Sequence, residues 1–129
     1  MRFTQLRDDG DRRGASCGLP GPAIEALGGV HDVHLMTLHA GHVRGNHYHR
    51  DRDELLAVMG TSRWRVRWED PDGSANERIF DGPTAVLVTV DRMLSHAVIN
   101  DGPGDLVMVS IANGPFDPEH PDSYPKPLA

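Results

Sequence analysis

A chain of 129 residues with a formal net charge of −6 has room for one hydrophobic core and not for two, and its acidic balance excludes the electrostatic footprint of a nucleic-acid binder. No stretch approaches the roughly 20 apolar residues that cross a bilayer, and the N-terminus lacks the apolar centre of a signal peptide, so a cytoplasmic protein without membrane contact is expected. The single cysteine, Cys17, rules out an intrachain disulfide and reads as a buried or bystander thiol.

Fourteen glycines and ten prolines imply many turns, which favours short strands over long helices. Residues 1–29 are mixed: a charged opening, a loop at Leu19-Pro20-Gly21-Pro22, and a short helix over 23–27 with Pro22 in its first turn. β-like segments follow at 33–38, 43–48, 55–59, 62–68, 79–80 with 85–90, and 106–112, and the stretch His96-Ala97-Val98-Ile99-Asn100 is β-like as well. Turn clusters at Asp70-Pro71-Asp72-Gly73 and Asp101-Gly102-Pro103-Gly104 separate them. Such spacing predicts an all-β, antiparallel sandwich or barrel in a single domain spanning 1–129, with a core over about 30–114. In Arg63-Trp64-Arg65-Val66-Arg67-Trp68 the alternation puts three arginines on one face and Trp64, Val66 and Trp68 on the other, a half-buried strand with a solvated basic face. The proline-rich tail, 115–129, excludes regular helix and central strand.

The most informative stretch is Arg44-Gly45-Asn46-His47-Tyr48-His49, followed by Asp53-Glu54, an apolar run and Gly60. Alternate strand residues share a face, so His47 and His49 send both imidazoles into one space, and Tyr48 points away into packing. A carboxylate from the next strand joins them there, and His96 supplies a fourth ligand. Three neutral nitrogens and one carboxylate suit a divalent transition metal, with zinc first and iron, nickel, copper or manganese as alternatives. Arg44 is the candidate for gripping a diphosphate or carboxylate, since a guanidinium makes two parallel hydrogen bonds to such a group, and Asn46 is the neighbouring substrate-contact candidate. His31, His34, His39 and His42 form a looser run, read as exposed or rim residues.

These residues resemble the two motifs of the cupin superfamily: a glycine (Gly41 or Gly45), His47, His49, an acid and Gly60 for the first, and His96 with Asn100 for the second. The resemblance implies a double-stranded β-helix, a jelly-roll barrel. The acidic ligand is Glu54 by its distance from His49 or Asp53 by its distance from Gly60, with Glu54 preferred. The Pro-x-Gly turn usual before the second histidine is replaced by Asp91-Arg92-Met93. Within the superfamily, Arg44 to His49, the approach Val33 to Leu38, and the ending Ala112 to Tyr124 look like the C-terminal cupin domain of capsular-polysaccharide sugar-nucleotide epimerase/reductases. Asp11-Arg12-Arg13-Gly14 is similar to the opening of the dTDP-sugar ketoisomerases and the dTDP-4-dehydrorhamnose 3,5-epimerase group.

The resemblance implies an isomerase or epimerase that transfers a proton next to the carbonyl of a keto-sugar nucleotide or related metabolite. His47, His49 and His96 then serve as metal ligands or as acid and base. Without a nucleotide-binding reductase segment in the sequence, only the cupin half of that chemistry is expected. A metal-dependent oxygenase or oxidative cyclase uses the same ligand set, and a non-catalytic small-molecule binder has the same fold. A homodimer paired through sheet edges is expected, with the tail packed over a barrel edge or onto the second subunit through Phe116 and Tyr124.

Overall fold

A computed structural model describes residues Met1–Ala129. In chain order the elements are β1 (Arg2–Gln5), α1 (Gly21–Ala26), β2 (Asp32–Leu38), β3 (Val43–Tyr48), β4 (Glu54–Gly60), β5 (Trp64–Glu69), β6 (Ala75–Phe80), β7 (Thr84–Val90), β8 (Ser95–Asn100), β9 (Leu106–Ala112) and β10 (Tyr124–Pro125). All strand pairs are antiparallel, in two five-stranded sheets ordered β1-β7-β4-β9-β2 and β10-β3-β8-β5-β6. The sheets face each other as a jelly-roll barrel, the double-stranded β-helix that the histidine motifs imply.

Alternation decides which side chains fill the space between the sheets. Leu56 and Val58 of β4, Val86, Val88 and Val90 of β7, Trp64 and Val66 of β5, and Leu106 and Met108 of β9 form the main buried cluster, and Phe3, Trp68 and Phe80 close one end. The other face of the first sheet is covered as well. Leu55 of β4 and Leu87 of β7 bury under Leu6 and Leu27, with Ala23 and Ile24 of α1 above them. Apolar cover on both faces explains why Glu54-Leu55-Leu56-Ala57-Val58 reads as a continuous apolar run rather than an alternating one.

Three local features bear on the sequence expectation. β1 is absent from it, because four residues with one large apolar side chain carry little periodic signal; pairing with β7 and the packing of Phe3 against Trp68 hold it. The tail seats on its own barrel: Tyr124 and Pro125 pair with Tyr48 and His47 at the open edge of β3, and Tyr124 stacks on Tyr48. Phe116, expected as an apolar anchor of the tail, packs edge-on against His34 and is 51% exposed. The arginine face of β5 is a solvated, ion-paired surface, with Arg63 on Asp81, Arg65 on Asp101 and Glu77, and Arg67 on Glu77.

β3 contains the irregularity that shapes the interior. Gly45 pairs with Ala97 and His47 with His96, so Asn46 is an extra residue between consecutive partners. Gly45 and Asn46 both take positive φ, 97° and 57°. A side chain on Gly45 would place its Cβ 2.6 Å from the His96 carbonyl oxygen. Gly45→Ala is therefore expected to cost at least about 2 kcal/mol, from left-handed strain plus this clash. Gly104, with open space at the equivalent position, should tolerate the same change. Denaturant midpoints of the two variants check this, and equal midpoints would contradict it.

Candidate metal centre and substrate cavity

The bulge resets the alternation of β3, and this brings Arg44 and His47 to the same side. Three residues apart on a regular strand they would face opposite ways. With one extra residue between them, Arg44 sits opposite Val98 and His47 opposite His96, and all four line one cavity of about 180 Å³. His49, Arg52, Glu54, Ser110, Asp32, His34 and Phe116 complete its polar and aromatic wall, and Met36, Leu56 and Met108 its apolar floor.

At one end the imidazoles of His47, His49 and His96 converge, each offering a ligand atom within 4.8 Å of the others. Their ring centroids are 4.7 Å (His47–His49), 5.0 Å (His47–His96) and 5.8 Å (His49–His96) apart. Glu54 closes the group: its carboxylate lies 3.7 Å from His49 Nε2 and 3.5 Å from His96 Nε2, and it accepts a 2.8 Å hydrogen bond from Ser110 Oγ. The outer nitrogen of each ring is engaged. His49 Nδ1 donates to the Asp122 carbonyl at 2.5 Å, His96 Nδ1 to the Leu94 carbonyl at 3.1 Å, and His47 Nδ1 lies 3.1 Å from the Ser123 hydroxyl. A carbonyl can only accept, so His49 and His96 carry the proton on Nδ1 and turn a lone pair on Nε2 inward. His49 Nε2 is buried with no hydrogen-bond partner, a costly state that a cation at the centre would relieve.

Electrostatics fit the same donor set. Burial, reinforced by the charges of His96 and His49, pushes the His47 imidazole down to about 4. Burial works the other way on Glu54, raising its carboxyl, but the neighbouring His96, His49 and Ser110 outweigh it and hold Glu54 down at about 2. At neutral pH the group therefore presents a neutral His47 and an ionised carboxylate, the forms that ligate a metal.

Asp53 faces the other way along β4. Its carboxylate accepts from the Arg92 backbone N–H at 2.8 Å and from the Arg92 guanidinium, and it takes a further bond from Asn113. It thereby clamps the turn Asp91-Arg92-Met93. Met93 adopts φ 70° there, a conformation that favours glycine, and its N–H donates to the His49 carbonyl at 2.6 Å. Asn100 locks the other end of β8, donating to the Leu38 and Gly104 carbonyls and accepting from Gly102 N–H.

Asn46 differs from its expected role beside a substrate. Its Oδ1 accepts from the N–H groups of Leu128 and Ala129 and its Nδ2 donates to Ala129, so it anchors the chain's end. The bulge is the reason, because the extra residue is turned away from the cavity. Arg44 does line the cavity, with its Nε on the Thr37 carbonyl. Sequence reasoning missed three residues that line it, Arg52, His34 and Asp32. Arg52 lies in a turn without periodic signal, and its Nε is buried without a partner. The Asp32-x-His34-x-Met36-x-Leu38 alternation marks an inward face and was available to find the histidine.

An antiparallel jelly roll around a histidine-lined cavity is the cupin-type, RmlC-like fold. The chain belongs to the family described as Polysaccharide biosynthesis C-terminal domain, which it matches over residues 24–124. It is 35% identical over 91 residues to the UDP-2-acetamido-2,6-beta-L-arabino-hexul-4-ose reductase of Pseudomonas aeruginosa, covering 70% of this chain and 24% of that protein. The capsular polysaccharide assembling protein CapF of Staphylococcus aureus matches with a TM-score of 0.67 and 22% identity, over 95% of this chain and 34% of CapF. The 3,4-ketoisomerase QdtA of Thermoanaerobacterium thermosaccharolyticum, solved as a variant with TDP-4-keto-6-deoxyglucose, matches with a TM-score of 0.68 and 16% identity, over 95% of this chain and 84% of QdtA. The chain thus spans about a quarter of the reductase and a third of CapF. No helix is long and apolar enough to cross a membrane.

The opposite facing of Glu54 and Asp53 separates two effects. Glu54→Gln is expected to weaken zinc binding by at least about tenfold, whereas Asp53→Asn leaves it near wild type. Asp53, held at about 2 chiefly by the Arg92 hydrogen bond, adds stability that is fully present above its unfolded value and is lost as pH falls through 2. With the discount for its partial exposure this is about 1 kcal/mol. The gap in melting temperature between wild type and Asp53→Asn should be open at pH 7 and close between about pH 4 and 2. Elemental analysis and thermal melts read both effects, and the reverse metal ranking would put Asp53 among the ligands.

Proposed function

We propose that the protein is an isomerase or epimerase that moves a proton next to the carbonyl of a nucleotide-linked keto-sugar. His47, His49, His96 and Glu54 would hold one divalent transition metal, zinc first. The observation that carries this reading is the convergence of three imidazoles and the Glu54 carboxylate at one end of a cavity that two guanidiniums, Arg44 and Arg52, also line. When bound, the metal supplies Lewis-acid polarisation of a carbonyl, which acidifies the neighbouring C–H.

The chain's own residues supply the rest. Arg44 and Arg52 meet the anionic diphosphate. Met36, Leu56 and Met108 offer an apolar floor to the less polar face of a deoxygenated ring. At about 180 Å³ the cavity is smaller than the roughly 300–1,000 Å³ that enclose a whole drug-sized ligand, so it takes the sugar ring and leaves the nucleotide outside. The family and the sugar-nucleotide relatives support this assignment over dioxygen chemistry at the same ligands.

In deuterated buffer the protein is expected to exchange the hydrogen α to the carbonyl of UDP-2-acetamido-2,6-beta-L-arabino-hexul-4-ose or of TDP-4-keto-6-deoxyglucose, read by NMR. His96→Ala should lower that exchange by about 100-fold or more. No exchange with either compound, together with dioxygen uptake by iron-loaded protein, would favour the oxygenase reading.

A homodimer is part of the same proposal. β2 is an edge strand with one side unpaired, and Val33 and Leu35 on it and Val107 on the neighbouring β9 are 54%, 81% and 52% exposed. Leu35→Glu should shift the sedimenting species from dimer to monomer, and a wild-type protein that already sediments as a monomer would contradict the assembly.

A further inference from the structure

We propose that His34, oriented by Asp32, is the general base of the reaction, a role separate from the four-ligand group; the inference rests on the proton-transfer reading above. His34 lies on β2, where Asp32, His34, Met36 and Leu38 point into the barrel and Val33, Leu35 and Thr37 point out. Both members of the pair line the cavity. Asp32 Oδ2 accepts from His34 Nδ1 at 2.6 Å, which leaves Nε2 as the basic nitrogen with no protein partner. The edge of the ring meets Phe116, with centroids 4.7 Å apart and planes at 68°, so its orientation is fixed from two sides. A carboxylate that holds one imidazole nitrogen sets the tautomer and stabilises the imidazolium formed when the other nitrogen takes a proton.

Position and elimination point to the same residue. His34 pairs across the sheet with Ser110, whose hydroxyl donates to Glu54. Paired side chains on one face begin about 5 Å apart, so His34 stands one side chain away from the candidate metal centre. His47, His49 and His96 have Nδ1 engaged and Nε2 turned to that centre, and none keeps a basic nitrogen once a metal is bound. His39 pairs with Asp105 and His120 with Asp117 on the exposed surface, and neither His31 nor His42 lines the cavity. His34 is the remaining imidazole within reach of a bound ring, and with 41% of its side chain exposed it can trade its proton with water.

The step balances without a co-reactant. The C–H bond α to the carbonyl breaks, its proton goes to His34 Nε2, and its electron pair moves toward the carbonyl oxygen as an enolate. The imidazolium rests against the Asp32 carboxylate. A proton returned to carbon, from this imidazolium or from water on the other face, ends the cycle, and in deuterated buffer it leaves a deuteron behind.

The test measures solvent exchange of the same two nucleotide-linked hexuloses by wild type, His34→Asn, His34→Ala, Asp32→Asn and the surface control His39→Asn. Zinc content and dissociation constants for both compounds are measured alongside. His34→Asn should cut exchange by about 100-fold or more, with zinc content unchanged and binding within about threefold. Asp32→Asn should lower the exchange rate by about tenfold or more at saturation with little change in the half-saturating concentration. Added imidazole should restore part of the exchange lost in His34→Ala, which a packing role would not permit. Exchange in His34→Asn close to wild type would overturn the base while leaving the proton-transfer reading intact. Absence of exchange in wild type would overturn both. Asp32→Asn, in which an amide replaces a carboxylate of the same shape, keeps the proposal falsifiable if either His34 variant fails to fold.

Discussion

The interior depends on one extra residue in β3. Antiparallel pairing fixes side-chain direction by parity, so Arg44 cannot share a side with His47 and His49 unless the count between them changes. The bulge at Gly45-Asn46 makes that change, at the cost of two positive φ values and a glycine that lies against the His96 carbonyl. That close approach registers β3 against β8 and so sets His47 directly opposite His96. Asn46, ejected from the strand's alternation, then binds the last residues of the chain. One local irregularity therefore governs the ligand spacing, the cation at the cavity wall and the seat of the tail.

Glu54 shows what the rest of the barrel must offset. An ionised carboxylate with 7% exposure is unfavourable unless hydrogen bonds and opposite or polarisable partners surround it. Ser110 and the ring edges of His49 and His96 do so in part. The unpartnered His49 Nε2 beside it marks the remaining deficit. A divalent cation would satisfy both groups together, which is a physical reason to expect the folded state to gain stability on metal binding. Asp53, one residue earlier, spends its charge on a turn instead. Parity along β4 alone separates the two roles.

Much of this was legible in the sequence, and the reasons for the rest are specific. His-x-His, the following acid and His96-x-x-x-Asn100 are local patterns whose strand geometry follows from a period of two, and the turn clusters between apolar runs mark the strands. The ambiguity between Asp53 and Glu54 arose because spacing from two different anchors gives two answers, and only the facing of β4 decides which side chain enters the barrel. Asn46 was misassigned because a bulge leaves no sequence signature stronger than a glycine. β1 lies below the length at which alternation is readable. His34 was grouped with His39 and His42 by proximity, although its own strand alternates with Met36 and Leu38. The tail's proline content excludes helix and central strand, and β10 is a two-residue edge strand, but it says nothing of the hydrogen bonds the tail makes.

Those bonds give the tail a part in the site. Asp122 and Ser123 hold the outer nitrogens of His49 and His47, and the Asp122 carboxylate accepts from the N–H groups of Arg50 and Asp51, fixing the chain just beyond the second histidine. Proline-rich sequence suits the task, since a segment with few backbone conformations loses less entropy when it is pinned across a barrel edge. It also removes an open edge of β3 that would otherwise invite pairing with another chain, whereas β1 and β2 stay as the edges of the opposite sheet. The charge layout follows the same division. On the outer face of β5 each guanidinium is matched by a carboxylate, whereas Arg44 and Arg52 line the cavity with no carboxylate partner of their own. In a chain of net charge −6 this reserves local positive potential for the cavity, where the proposed anionic substrate would bind.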